Sequence, residues 1–180
     1  MQDVFIEYMV KRQRTAKTSL LKLLIIVGAI VLAVMLFIFS GFLGAFSFFG
    51  AIFAVGLLYG GYFLVTSMNL EFEYSITNGE MDVDKIVAQR KRRRLVTVKW
   101  RDIEAFGRYI PSEHAGKTYG TKIFACDTPY NEDLWYCVTR APQKGQVTQV
   151  FLVFNASEKM LEAIKKYLPK QILHAVFKRH

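Results

Sequence analysis

The chain has 180 residues and a formal net charge of +9, long enough for one domain of ordinary size and basic enough to meet a polyanion, either nucleic acid or an anionic membrane surface. Positions 23–70 are 48 consecutive residues without one Asp, Glu, Lys, Arg or His, which excludes a chain folded wholly around an aqueous core. A membrane span needs roughly 20 apolar residues to cross about 30 Å of hydrocarbon, so a single span is excluded too, and two spans with a tight turn use up the run.

In chain order, the first 22 residues carry five Lys and Arg against two acidic residues. Val4, Phe5, Tyr8 and Met9 recur at helical spacing just before Lys11, Arg12 and Arg14, which predicts either a short amphipathic helix in the membrane interface or a frayed terminus. The apolar stretch that follows is longer than the roughly 7–15 residues of a signal-peptide core, and no small-residue cleavage site follows it cleanly. The first span is expected near residues 20–39, the turn at Ser40-Gly41-Phe42-Leu43-Gly44, and the second span near residues 46–66. Gly56 and Gly60 stand four apart on the second span and leave one helix face without side chains. Gly28, Ala29 and Ala33 on the first span are also small, so packing within the hairpin is the expected use, with dimerisation as the sharper alternative.

Lys and Arg favour the cytoplasmic flanks of membrane spans. Five basic residues precede the first span, and Lys85, Arg90, Lys91, Arg92, Arg93 and Arg94 follow the second, while the turn has none. Both termini are therefore expected in the cytoplasm. Its reducing conditions argue against a structural disulfide between Cys126 and Cys137.

From Leu70 the hydrophobic period becomes that of a strand: Phe72, Tyr74 and Ile76 alternate with Glu71, Glu73 and Ser75. Asn78-Gly79 predicts a tight hairpin, with a return strand through Met81, Val83, Ile86 and Val87. After the basic cluster, Leu95, Val96 and Val98 predict a third strand ending at Trp100, then one helical turn over 101–106 and a loop over 107–120. Strands are expected over 121–126, 134–140 and 147–154, separated by turns around Pro129 and Asn131 and around Pro142 and Gly145. Asn155 reads as a helix N-cap with Glu158 three residues on, and Met160, Leu161, Ile164 and Leu168 form the apolar face of the helix it begins. Pro169 ends that helix, and Ile172, Leu173, Val176 and Phe177 belong to a last amphipathic turn or two.

Short antiparallel strands followed by one amphipathic helix resemble a pleckstrin-homology-like (PH-like) fold, a bent sheet plugged by its C-terminal helix. The stretch Glu73-Tyr74-Ser75-Ile76-Thr77-Asn78-Gly79-Glu80-Met81-Asp82-Val83 resembles the opening hairpin of bacterial PH-like domains, and the basic segment, strand and Asp102-Ile103-Glu104 turn follow as in that family. Such domains often follow a pair of membrane spans. The resemblance covers residues 70–168 and implies a scaffold that binds something, with no catalytic residue carried over. The fold class expected is thus a two-helix membrane hairpin plus an α+β, mainly β, PH-like domain. Four segments are expected: a basic amphipathic segment (1–19), the hairpin (20–69), the cytoplasmic PH-like domain (70–168) and an amphipathic tail (169–180).

Motifs for chemistry are sparse. His114, His174 and His180 are scattered, and no paired His or Cys spacing of a zinc site and no phosphate loop occurs, so neither metal nor cofactor is expected. Asp82 and Asp84 share a strand face as hydrolase carboxylates do, but next to a hairpin turn they read as a solvated face. A hairpin centred between Asn131 and Glu132 would set Cys126 opposite Cys137, to bridge or bind a soft metal, against the alternative of two buried inert thiols. The block Arg90, Lys91, Arg92, Arg93, Arg94 is the main candidate site: five adjacent cations repel one another and ask for an anionic neighbour. Lipid headgroups are the expected partner. A solvated turn that only holds topology is the alternative, and nucleic acid is disfavoured because no aromatic residue lies within the block to stack bases. The function expected is a non-enzymatic, membrane-anchored binding or scaffolding protein touching anionic lipid or a protein partner. An accessory subunit of a larger membrane complex, or a homo-oligomer, is the alternative.

Overall fold

A computed structural model describes residues 5–143 and 145–177. The chain divides into two compact units: Arg14–Asn69, and a second that joins the residues up to Gln13 to those from Leu70 onward.

In the first unit, α1 (Ala16–Ser40) and α2 (Ser47–Ser67) are long and apolar enough to cross a membrane, and a 3-10 stretch, Gly41–Phe46, links them. Thr15 caps α1 by accepting the Thr18 N–H. Some hydroxyls of these helices turn back on their own backbone. Ser40 Oγ donates to the Phe37 carbonyl at 2.7 Å, and Ser67 Oγ to the Phe63 carbonyl at 2.7 Å, so these hydroxyls need no water. The helices approach each other through Gly50, which faces the Ser40 side chain, and through Gly61, where an added Cβ would stand 2.8 Å from that of Ala29. At their open ends Lys22 Nζ donates to Asn69 Oδ1 at 2.6 Å.

The second unit holds, among the described residues, eight strands in two four-stranded sheets. The first sheet runs in the order β1 (Phe5–Lys11), β2 (Leu70–Thr77), β3 (Glu80–Val87), β4 (Lys91–Lys99), all antiparallel. Residues 5–11 are therefore a strand and not the amphipathic helix expected: alternation sets Ile6 and Val10 toward the core, the exposed Tyr8 stacks on Tyr74, and pairing with β2 satisfies the backbone. Val4 lies outside the described residues, as do Lys178, Arg179 and His180. The expected hairpin turn is present, with Asn78 and Gly79 both at positive φ and the Tyr167 ring 2.7 Å from where a Gly79 Cβ would sit.

A 3-10 turn, Trp100–Asp102, leads into the second sheet: β5 (Ala105–Arg108), α3 (Pro111–His114), β6 (Thr121–Ala125), β7 (Leu134–Gln143) and β8 (Gln146–Asn155), in strand order β5-β7-β8-β6. Here β6 pairs with β8, in parallel, and not with β7. Cys137 consequently faces Phe106 and Leu152 across the sheet, Cys126 packs against the opposite side, and both thiols are free and buried. The opposed pair is not formed, because the hairpin assumed for it is a crossover. Burial pushes the Cys126 thiol up to about 11, and that of Cys137 higher still, as suits two inert thiols.

Between the sheets lie Tyr74, Ile76, Met81, Val83, Val98, Trp100, Leu152 and Phe154, closed by α4 (Glu158–Lys165) with Met160, Ala163 and Ile164 buried. Leu161 is only half-buried. The cap of α4 is Ser157, whose Oγ accepts the Met160 N–H at 3.3 Å. Asn155 is withdrawn from that role, because it exchanges two hydrogen bonds of 2.9 Å with Asp127. The last helix, α5 (Lys170–Phe177), is no loose tail: Phe177 stacks on Trp135 at 5.8 Å. The architecture is the expected one, a bent, mainly antiparallel sheet assembly capped by C-terminal helix.

Candidate functional site

The basic block is not a turn. Lys91, Arg92, Arg93 and Arg94 open β4 and pair with β3, while Arg90 ends the three-residue connection that begins with Ala88 and Gln89, both at positive φ. Val83 pairs with Val96 but Asp84 pairs with Arg94, so Leu95 is an extra residue, a β-bulge. A one-residue insertion exchanges the two faces of everything beyond it. Without the bulge, Arg92 and Arg94 would lie on the side of Val96 and Val98; with it, they turn to the outer face, where Glu71, Glu73, Asp82 and Asp84 already stand.

There the charges compensate. Arg94 Nε lies 2.5 Å from Asp84 Oδ1 and its Nη1 2.7 Å from Asp82 Oδ1; Arg92 Nε lies 2.9 Å from Asp84 Oδ2, and Arg92 also pairs with Glu73. Lys11 Nζ stands 3.6 Å from Glu71, and Gln89 donates to that carboxylate at 3.2 Å. Glu71, Glu73 and Asp84 are buried beneath these partners, so Asp84 is no part of a solvated face. The hydrogen bond to Asp84 raises the pKa of the Arg94 guanidinium further.

The other half of the block is left over. Lys85 and Arg93 are directly opposed, and Lys91, opposite Val87, is on the same side of the sheet. None of the three makes an ion pair among the described residues; Lys91 and Arg93 are exposed and Lys85 is half-buried. The strand thus carries two populations of cation: Arg92 and Arg94 bound to the sheet, and Lys91 and Arg93, with Lys85, facing water.

Residues 2–174 match the family described as Bacterial PH-like domain (DUF6106). The chain belongs to this family. No curated protein and no solved structure matches it. The family match reaches wider than the resemblance over residues 70–168, and in this bacterial PH-like protein β1 completes the first sheet from the far side of the hairpin in sequence.

Among the described residues no three His, Cys, Asp or Glu side chains gather as a metal site requires. Gly56 and Gly60 line an open apolar groove of about 560 Å³ with Gly28, Leu24, Phe53 and Leu64. A Cβ added at Gly28, Gly56 or Gly60 meets no atom within 4 Å, so the hairpin's own close contact uses Gly50 and Gly61 in their place. Lys85 is the member of the cationic set that run-counting missed. The signal was available: a turn centred on Asn78-Gly79 sets Glu73 opposite Asp84, and two facing carboxylates call for arginines from a third strand, which splits the block by parity.

Proposed function

We propose that this bacterial PH-like protein is a membrane-anchored, non-catalytic binding or scaffolding protein that contacts anionic lipid headgroups through Lys85, Lys91 and Arg93, with Arg90 beside them. The observation that carries this reading is the directly opposed Lys85–Arg93 pair, because like charges facing each other across strands destabilise a sheet and are relieved by an anion lying over both. Each basic residue near an anionic bilayer contributes about 1 kcal/mol. Further support comes from connectivity. The Arg12 N–H donates to the Leu70 carbonyl, Leu70 faces Val87, and Val87 faces Lys91, so the chain departs for the hairpin and returns from it in the row of the sheet that holds Lys91. With the charge asymmetry of the flanks, this reading sets both termini and the sheet unit in the cytoplasm.

The test uses the full chain in nanodiscs of neutral lipid or of neutral lipid with added anionic lipid. Hydrogen exchange of residues 85–94 should slow only with anionic lipid, and the triple change Lys85→Gln, Lys91→Gln, Arg93→Gln should abolish the difference. Identical exchange in the two lipids would refute lipid contact. Labelling of an engineered cysteine in the sheet unit from outside intact cells would refute the topology.

The open groove at Gly56 and Gly60 favours one second reading, an accessory subunit of a larger membrane complex. Affinity purification in mild detergent separates the two: a stoichiometric membrane partner lost on Gly60→Leu supports the subunit, and a lone protein retaining anionic lipid supports the first reading.

A further inference from the structure

We propose that the segment joining β5 to β6 is a pH-sensitive strap, closed over the outer face of the second sheet while His114 is neutral and released when His114 takes up a proton. From Ile110 to Thr118 every residue except His114 is exposed, so one side chain anchors the middle of the segment. His114 is itself 5% exposed. Its ring is 4.3 Å from that of Tyr136 and 4.8 Å from that of Phe151, with Tyr109 at 5.8 Å. Beneath lie Leu134, Val138, Phe151 and Val153, the apolar outer face that strand alternation directs away from the main core.

The anchor tolerates the neutral ring and not the charged one. Nδ1 is 3.0 Å from the Tyr119 hydroxyl, whereas Nε2 is buried without a hydrogen-bond partner among the described residues. An imidazolium carries N–H on both nitrogens, so protonation would bring a charge and an unmet donor into this place. The groups around it do little to compensate. The strap itself contributes Glu113 and Lys117, β6 contributes Lys122, and Cys126 follows it; Tyr109, Tyr119 and Tyr136 present their rings, and β8 presents the apolar Phe151 and Val153. Burial and then Lys117 push the pKa of His114 below its ordinary value, and Glu113, which acts the other way, is exposed. The ring faces of Tyr136 and Phe151 attract a cation but accept no conventional hydrogen bond from Nε2.

The sign follows from linkage. The closed form has the lower pKa and the open form one of about 6.5, so closure is fully favoured above the open-state value and weakens as pH falls below it. Because the open form takes up the proton more readily, the open population rises between pH 7.5 and pH 5.5, by at most about tenfold.

The full chain in detergent, followed by hydrogen exchange corrected for intrinsic rates, tests this. Protection of residues 110–119 should fall at pH 5.5, by at most about tenfold, while that of β7 and β8 holds. In His114→Phe, which keeps an aromatic ring in place, the segment should stay protected at both pH values; His174→Gln, at an exposed position on α5, should respond like the parent. Equal protection of the parent at the two pH values, a loss spread over the whole sheet unit, or a response surviving in His114→Phe would each overturn the proposal. Should His114→Phe not fold, the parent's local or global response decides alone.

Discussion

The outer faces of the two sheets meet the same demand in opposite ways. Each sheet buries one face in the shared core and must cover the other. The first covers it with charge: carboxylates of β2 and β3 lie under Arg92, Arg94 and Lys11. The second covers it with apolar rings and a strap, Phe151 lying under Tyr109, His114 and Tyr119. Apolar packing does not depend on the screening of charge, and near neutral pH this cover responds to pH through His114. An ionic cover depends on every partner being present, since a buried carboxylate stripped of its cation costs more than the intact pair contributes.

The largest effect should come from the apolar side. Phe151→Ala removes a ring that is 1% exposed and touches four other aromatic rings, and should cost about 3–5 kcal/mol, unchanged by salt, in urea melts of the full chain in detergent. A smaller loss, about 3 kcal/mol, is expected for Arg92→Gln with Arg94→Gln, which leaves Glu73 and Asp84 buried without cations. Adding Glu73→Gln and Asp84→Asn should recover most of that loss. If the fourfold variant is no more stable than the double, the carboxylates are not the source of the cost and the ionic account of this face fails.

These contrasts also explain what the sequence made legible. The apolar helical hairpin, the Asn78-Gly79 turn and the α4 face at Met160 and Ile164 are local patterns, legible from neighbouring residues. The role of β1 was hidden because its partner β2 lies beyond the hairpin, some 60 residues away, and seven residues with Phe5, Tyr8 and Met9 exposed satisfy a helical period as well as a strand. The parallel β6–β8 pair was hidden for the same reason, a non-local choice of neighbour, and with it fell the cysteine register. In the sequence the basic block is five equivalent charges, because the bulge at Leu95, which sorts them onto two faces, leaves no mark in composition. In the sequence His114 is an isolated histidine in a loop; burial of a single residue among exposed neighbours is a tertiary fact.

The connection between β3 and β4 offers a smaller effect on the stability of the charged sheet. Ala88 has φ 54° and Gln89 φ 56°, a region that costs a side-chain-bearing residue about 1–2 kcal/mol. Ala88→Gly should therefore raise stability by about 0.5–1 kcal/mol, part of the relief being returned as the greater freedom of glycine in the unfolded chain. A variant less stable than the parent would show that the Ala88 methyl packs more than the turn strains.

The smallest effect on stability should accompany the largest on binding. Lys91 and Arg93 share a strand with Arg92 and Arg94, yet they are exposed, have no ion-pair partner among the described residues, and Arg93 faces Lys85. Lys91→Gln with Arg93→Gln should change stability by less than about 0.5 kcal/mol, with a slight gain as the Lys85–Arg93 repulsion disappears. Protection of residues 85–94 by anionic lipid should fall sharply in the same variant, and in the parent it should weaken as salt is raised and the Debye length shrinks from about 10 Å at 0.1 M. The pair of measurements separates two roles that one run of cations had merged. A double variant that loses stability like Arg92→Gln with Arg94→Gln would make all four charges structural, and one that keeps both stability and lipid protection would leave Lys91 and Arg93 as determinants of topology alone.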